Sequence, residues 1–197
     1  MNDLQTLTLC FLGQRDYLHG TTLFDALRPW YENGIHIQFK LGRLMRSDRV
    51  QVEPLSGGGG TEGNYSATLR WGEVGTEHRI GVMPLEPSPS PERVPFDEES
   101  IVHRAQFEDR SVTVTDPQGE SLNRTMVALN KALLFRILTP PLPGQWLFTR
   151  LELEAAPMSF HQVSLRFRSN VGVAAVTSSI EVDGRNLGTL MFSWLKR

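Results

Sequence analysis

Tyr17-Leu18-His19-Gly20-Thr21-Thr22-Leu23-Phe24-Asp25-Ala26-Leu27 is the stretch at which the hydrophobic period of this chain changes. Upstream, residues 4–12 alternate, with Leu4, Thr6 and Thr8 against Leu7, Leu9 and Phe11, the period of a strand. Downstream, Leu23, Leu27 and Trp30, with Phe24 and Tyr31 beside them, recur at helical spacing. The pattern predicts a short helix over 22–31, preceded by a loop with a capping hydroxyl and stopped by Asn33-Gly34. Working outward, strand patterns follow at 35–44, 49–55, 65–71 and 79–83.

The second half repeats this order. A strand-like run over 101–115 ends in Val112 and Val114, and Asp116-Pro117-Gln118-Gly119 makes a turn. Ser121-Leu122-Asn123-Arg124-Thr125 then leads into Met126, Leu129, Leu133 and Ile137 at helical spacing, ended by Thr139-Pro140-Pro141 and Pro143-Gly144. Strand patterns return at 146–154, 162–167, 171–182 and 188–194. Landmarks pair across the halves: Tyr17-Leu18-His19 with Ser121-Leu122-Asn123, residues 45–50 with 158–163, Leu69 and Trp71 with Ile180 and Val182, Met83 with Met191. Each unit is a helix hiding one face of an antiparallel sheet. A unit of this size has little core of its own, and two units pairing edge to edge remove exposed strand edges. The apolar run 171–176 suits a strand buried at such a junction.

Composition bounds the rest. The 197 residues are 40% hydrophobic and 21% charged, which supports a packed core and excludes global disorder. A net charge of −2 argues against a general nucleic-acid binder. No apolar run is long enough for a membrane span, and Met1-Asn2-Asp3 opens no signal peptide. Cys10 is the single cysteine, so no internal disulfide forms, and the default expectation is a reducing, cytoplasmic setting. Residues 84–100 hold five of the twelve prolines and read as a linker with polyproline character. The expected division is a first unit over 1–85, a linker over 86–100 and a second unit over 101–197. The first 98 residues carry net −4 and the last 99 net +2, a weak bias toward docking. Ser56-Gly57-Gly58-Gly59-Gly60-Thr61-Glu62-Gly63 lacks the Gly-Lys-Ser/Thr ending of a phosphate loop and reads as a loop between strands.

A strand, a His-Gly loop, a central helix with an apolar stripe and four antiparallel strands resemble the hotdog fold, and two copies in one chain resemble a double hotdog. The local run from Tyr17 to Leu27 is similar to the His-Gly-Gly-x-x-x-x-x-Ala-Asp run of phenylacetic-acid-type acyl-CoA thioesterases. The resemblance implies an α+β fold: two tandem hotdog-like units, each a helix wrapped by an antiparallel sheet, forming a pseudo-dimer. It also implies binding of an acyl-CoA or acyl-carrier-protein thioester between the units, with thioester hydrolysis or 3-hydroxyacyl dehydration and hydration as the chemistry. No cofactor is implied, since the coenzyme is part of the substrate. The chain departs from the thioesterase pattern where the helix carboxylate belongs, nine residues after the His, which is Arg28; Asp25 lies six after His19. The second half has Asn123 in place of His19 and no acid over 126–138.

Each candidate residue carries two readings. His19 precedes a helix N-terminus, whose N–H groups suit a thioester carbonyl, and its pKa range suits acid–base work; otherwise it hydrogen-bonds the local turn. Asp25 orients a base or activates water, or is a solvated helix residue. Asn123 polarises a carbonyl, or caps the second helix. In the resemblance these three are the catalytic set. Tyr17, Gly20 and Arg28 are the substrate-binding candidates: Tyr17 donates to an oxyanion or packs its ring, Gly20 offers backbone N–H, and Arg28 binds an anion or pairs with a surface acid. His36, His78, His103 and His161 show no metal-ligand spacing, so no metal site is expected. Cys10 reads as core packing, and Gly81, Gly172 and Gly188 as bends or close approaches. The alternative function is a non-catalytic double hotdog that binds an acyl chain or serves as a scaffold. Sheet edges left over from two units make further homo-oligomerisation an expectation.

Overall fold

The computed structural model describes residues 4–55, 62–139, 143–156, 159–171 and 175–196, and its backbone contacts cluster into two units, Met1–Phe96 and Asp97–Arg197. The glycine run 56–61, Met158 and residues 172–174 of the apolar run lie outside the described residues. Among the described residues no helix is long and apolar enough to cross a membrane.

In the first unit, β1 (Gln5–Thr8) and β2 (Phe11–Leu12) precede α1 (Gly20–Ala26) and α2 (Arg28–Tyr31). Then come β3 (Ile35–Leu41), β4 (Arg49–Pro54), β5 (Ala67–Glu73), β6 (Thr76–Pro84) and the short β7 (Arg93–Val94). The sheet is antiparallel in the order β1-β4-β6-β5-β3. Alternation puts Ile37, Phe39, Val50, Val52, Leu69, Trp71, Ile80 and Val82 in the core with Leu23, Phe24 and Leu27 from the helices. Phe24 joins helix to sheet: its ring stacks on Tyr31 at 4.6 Å and tilts against Phe39 at 5.2 Å.

The single helix expected over 22–31 is instead two. Pro29 has no N–H for the carbonyl four residues back, so the ladder is interrupted and Leu27, at φ −81° and ψ −2°, takes the bend. Gly34 ends the second piece as expected, its N–H donating to the Tyr31 carbonyl at 2.8 Å.

Residues 85–96, rich in proline, are pinned along this unit. Leu85 N–H donates to Arg49 O at 2.9 Å, Phe11 N–H to Glu92 O at 2.9 Å, and Gly13 N–H to Val94 O at 2.9 Å. Arg93 Nη1 donates to Arg15 O at 2.7 Å and Gly13 O at 3.2 Å, and β7 runs parallel to β2. A further pin is Asp48, only 1% exposed, whose Oδ1 accepts Ser88 N–H at 2.8 Å. Burial pushes this carboxyl up, but hydrogen bonds from the Ser88 side chain and backbone, its own amide and the Arg49 charge outweigh it, and the pKa lies below the usual value.

In the second unit, α3 (Glu98–His103), β8 (Gln106–Phe107) and β9 (Ser111–Thr115) precede α4 (Leu122–Ile137). Then come β10 (Gly144–Ala155), β11 (Gln162–Val171), β12 (Ala175–Val182) and β13 (Arg185–Lys196). The order is β10-β13-β12-β11-β9-β8, again antiparallel. α4 packs on β9 and β11 through an apolar surface that includes Met126, Leu129, Leu133 and Leu134. The strand expected over 101–115 is corrected at its start. Residues 98–103 are helical because Asp97 caps them, accepting Ser100 N–H at 3.0 Å, with Glu98 and Glu99 favourable in the first turn.

Apart from β7 in the first unit and α3 in the second, both units run two strands, helix, four strands, but their strand orders differ. In the first, β6 lies between β4 and β5, so those consecutive strands are not neighbours. In the second, β11, β12 and β13 form a meander. Two strand glycines, Gly81 and Gly188, are close approaches, one of the two roles their place in strands predicts. A Cβ on Gly81 would meet the Tyr65 ring at 2.3 Å, and that ring is held by its hydroxyl's 2.5 Å bond to Glu53. At Gly188, φ is +151° and a Cβ would lie 1.9 Å from the Glu152 carbonyl oxygen.

Two measurements check these constraints. Gly188→Ala must move backbone of two strands and should lower stability by about 2 kcal/mol or more, read by urea unfolding, well beyond the ~1 kcal/mol of an ordinary Gly/Ala difference. Asp48→Ala should cost about 1.5–3 kcal/mol at pH 7, the range for hydrogen bonds to a charged group. Because the folded pKa is depressed, the wild-type contribution is complete above the unfolded value of about 3.9 and is lost as pH falls through the folded value, so the difference between the proteins should shrink in acid.

Candidate functional site

The sequence-predicted residues of the first unit gather around α1. His19 is its N-cap, with extended φ −72° and ψ 137°, and its carbonyl accepts Leu23 N–H at 3.2 Å. The imidazole is 8% exposed, and Nδ1 meets Thr21 Oγ1 at 2.7 Å. Thr21 is fully buried, so this bond fixes the side of the ring that carries Nδ1. His19 thus bonds the local turn, the structural one of its two readings, at the start of α1. Phe96 lies beside it, ring centroids 6.4 Å apart, and Arg15 lies over the other ring at 5.6 Å. Gly20 is buried as the first residue of α1, and Tyr17 is half-buried in the loop before it.

Asp25 and Arg28 belong to the other end of the helix. Asp25 is half-buried and Arg28 exposed, and both charges act on Tyr31. Tyr31 is 3% exposed and donates its hydroxyl to Phe24 O at 3.2 Å. Burial first, then the Asp25 charge, push its pKa far up, while Arg28 opposes. Gly20 and Asp25 lie five positions apart along the helix, roughly 8 Å of rise. The described environments thus place His19 with Thr21 and Phe96, and Asp25 with Tyr31 and Arg28.

Asn123 lies in the second unit, 9% exposed in the first turn of α4. Its reading as a cap is corrected: Ser121 is the N-cap, its hydroxyl accepting Arg124 N–H at 3.2 Å. Asn123, Val127, Asn130 and Leu134 recur on one face of α4. Asn130 is fully buried, and among the described residues neither its Oδ1 nor its Nδ2 has a protein partner. Such an amide offers a donor and an acceptor to a bound polar group or water. Sequence reasoning missed Asn130, although an amide inside the apolar run Val127 to Leu134 was a readable signal. It also missed Thr21, two residues from His19, and Phe96, which no local pattern ties to position 19.

A groove of about 230 Å³ between α3 and α4 is lined by Val102, Ala128, Ala132 and Phe135 with the Glu98–Lys131 ion pair at 2.8 Å, and holds none of the candidate residues. Among the described residues no three His, Cys, Asp or Glu side chains converge as metal ligands.

No protein-family model and no curated protein matches the chain. Solved structures do. The dehydratase domain of PpsC from Mycobacterium tuberculosis, determined in complex with C12:1-CoA, matches with a TM-score of 0.52 and 10% identity over 98% of this chain and 93% of its own. The bifunctional dehydratase-cyclase domain of ambruticin biosynthesis gives 0.49 and 15% over 91% and 83%. The tesB protein of Mycobacterium avium subs paratuberculosis gives 0.47 and 12% over 97% and 91%. The fold is the hotdog fold, as the helix-on-sheet units had led us to expect.

The His19–Thr21 bond is open to a direct check. Thr21→Val keeps the shape and removes the hydroxyl. It should cost about 1 kcal/mol of stability, the usual worth of one hydrogen bond, and should shift the His19 Nδ1 resonance in a nitrogen-15 spectrum. An unmoved resonance would show that the ring is oriented by something else.

Proposed function

We propose that this chain binds an acyl thioester, carried by coenzyme A or an acyl carrier protein, in the cytoplasm. We read it as a hydrolase or a 3-hydroxyacyl dehydratase and hydratase of fatty-acid-type metabolism. The observation that carries the reading is His19: a buried imidazole at a helix start in a hotdog unit, oriented through Nδ1 by a buried threonine. The likeness in fold to a dehydratase domain determined with an acyl-CoA supports the substrate class. In this reading the units over 1–85 and 101–197, joined by 86–100, pair as a double hotdog.

The chemistry needs one well-placed base. In hydrolysis, His19 takes a proton from water as it attacks the thioester carbonyl and returns it to the leaving thiolate. In dehydration, it takes the proton next to the carbonyl and passes it to the 3-hydroxyl, whose bond to carbon breaks as the double bond forms, so that it leaves as water. N–H groups at the start of α1, including that of Gly20, stabilise the negative charge that forms on the thioester oxygen. Tyr17 donates to the same oxygen, Asp25 or Asn123 assists proton transfer, and Arg28 meets the carrier's anionic part. No further cofactor is required.

The placement of Asp25 beside Tyr31 favours a second reading, a non-catalytic hotdog that holds an acyl chain or acts as a scaffold. Native mass spectrometry of the chain with a panel of acyl-CoA and acyl-carrier-protein thioesters separates the two. Retained acyl species that lose a water or release free thiol support an enzyme, and retained species that never change support the second reading. His19→Ala should lower turnover by about 10²–10⁴, the range for a general acid–base group, with the circular dichroism spectrum preserved. An unchanged rate in that folded variant would sink the assignment.

A further inference from the structure

We propose that the groove between α3 and α4 is the docking surface for a second copy of this chain, the Phe135 ring of each copy entering the groove of the other about a two-fold axis. The proposal goes beyond the thioester reading and needs nothing from it. Every residue it uses belongs to the second unit.

Val102 of α3 with Ala128, Ala132 and Phe135 of α4 makes the apolar wall of the groove, whose volume is about 230 Å³. Ala128 and Ala132 lie one turn apart on α4, and their short side chains leave the space open. A cavity of about 150 Å³ is enough for a benzene ring, so the groove has room for a phenylalanine side chain. Phe135 is such a side chain. It is 49% exposed, and it is the one aromatic among the large apolar side chains left exposed in the described residues. Trp194 meets it edge-on with ring centroids 6.4 Å apart, so the ring is held in place before a partner arrives. Phe135 also lines the groove, which puts knob and hole side by side on one surface. A two-fold axis beside them brings each knob to the other copy's hole, the self-complementary arrangement of a closed dimer.

Charge selects a second copy as the occupant. Glu98 and Glu99 of α3 stand at the groove. Glu98 is already paired with Lys131 at 2.8 Å, whereas Glu99 is exposed and forms no ion pair among the described residues. The knob carries the opposite charge: Arg136 follows Phe135, is exposed, and has no carboxylate partner among the described residues. Its guanidinium lies over the face of the Phe107 ring at 3.6 Å, a stacking that leaves N–H edges for a carboxylate. An entering Phe135 therefore brings a cation to a rim that holds an unpaired acid, and the symmetry makes the contact twice. An acyl chain entering the same groove brings no cation to Glu99.

Sedimentation velocity of the full chain over a range of concentrations tests this. The wild type should pass from one copy to two as its concentration rises through the micromolar range, as small interfaces do. Phe135→Ala should weaken the association by about thirtyfold or more, the loss expected for an aromatic anchor, with its circular dichroism spectrum preserved. Glu99→Arg and Arg136→Glu should each weaken it by about tenfold, because each sets like charges together. The two reversals combined should restore it, since each copy then offers the same pair with its signs exchanged. A wild type that stays a single copy up to the millimolar range overturns the proposal. So does a dimer that Phe135→Ala leaves unchanged, which would place the interface elsewhere, or a double reversal that restores nothing.

Discussion

Phe24 is the contact through which the first unit's helix, sheet and candidate site are tied together. Its ring stacks on Tyr31 and tilts against Phe39, and its carbonyl accepts the Tyr31 hydroxyl. A short helix has little stability of its own, because nucleation is costly and few turns follow it. The two pieces Gly20–Ala26 and Arg28–Tyr31 therefore depend on this aromatic cluster for their place on the sheet. His19 inherits its position from them: the carbonyl that accepts Leu23 N–H and the ring bonded to Thr21 are both set by where α1 begins.

The same packing divides the polar groups. At the start of α1, burial surrounds an imidazole with a hydroxyl and an aromatic ring. At its end, an acid and an arginine act in opposite senses on a buried phenol. A kink at Leu27 follows from Pro29, and it directs the second piece so that Tyr31 returns to the Phe24 carbonyl. One proline thus shapes both the helix and the environment of Asp25.

Much of this was legible locally. Strands over 35–44, 49–55, 65–71 and 79–83 match β3 to β6 closely, because a sheet with one buried face alternates apolar and polar residues along each strand. The α4 stripe was equally readable. The helix at Glu98–His103 was not, although Asp97 with Glu98 and Glu99 is a capping signal, because six residues are too few to display a helical period beside the alternation that ends in Val112 and Val114. Ser121 rather than Asn123 caps α4 for a related reason: both residue types cap helices, and only backbone geometry selects between positions two apart.

From its sequence alone, the chain is set as two successions of strand, helix and four strands, with a histidine at the first helix start. Those features rest on period, caps and breakers within a few residues of each other. Tertiary structure decided the rest. It set β6 between β4 and β5 in one unit and a meander in the other, laid the proline-rich residues along the first unit, and brought Phe96 to His19 across 77 positions of sequence. Strand order and distant side-chain meetings depend on which surfaces bury each other, and no local pattern encodes that choice.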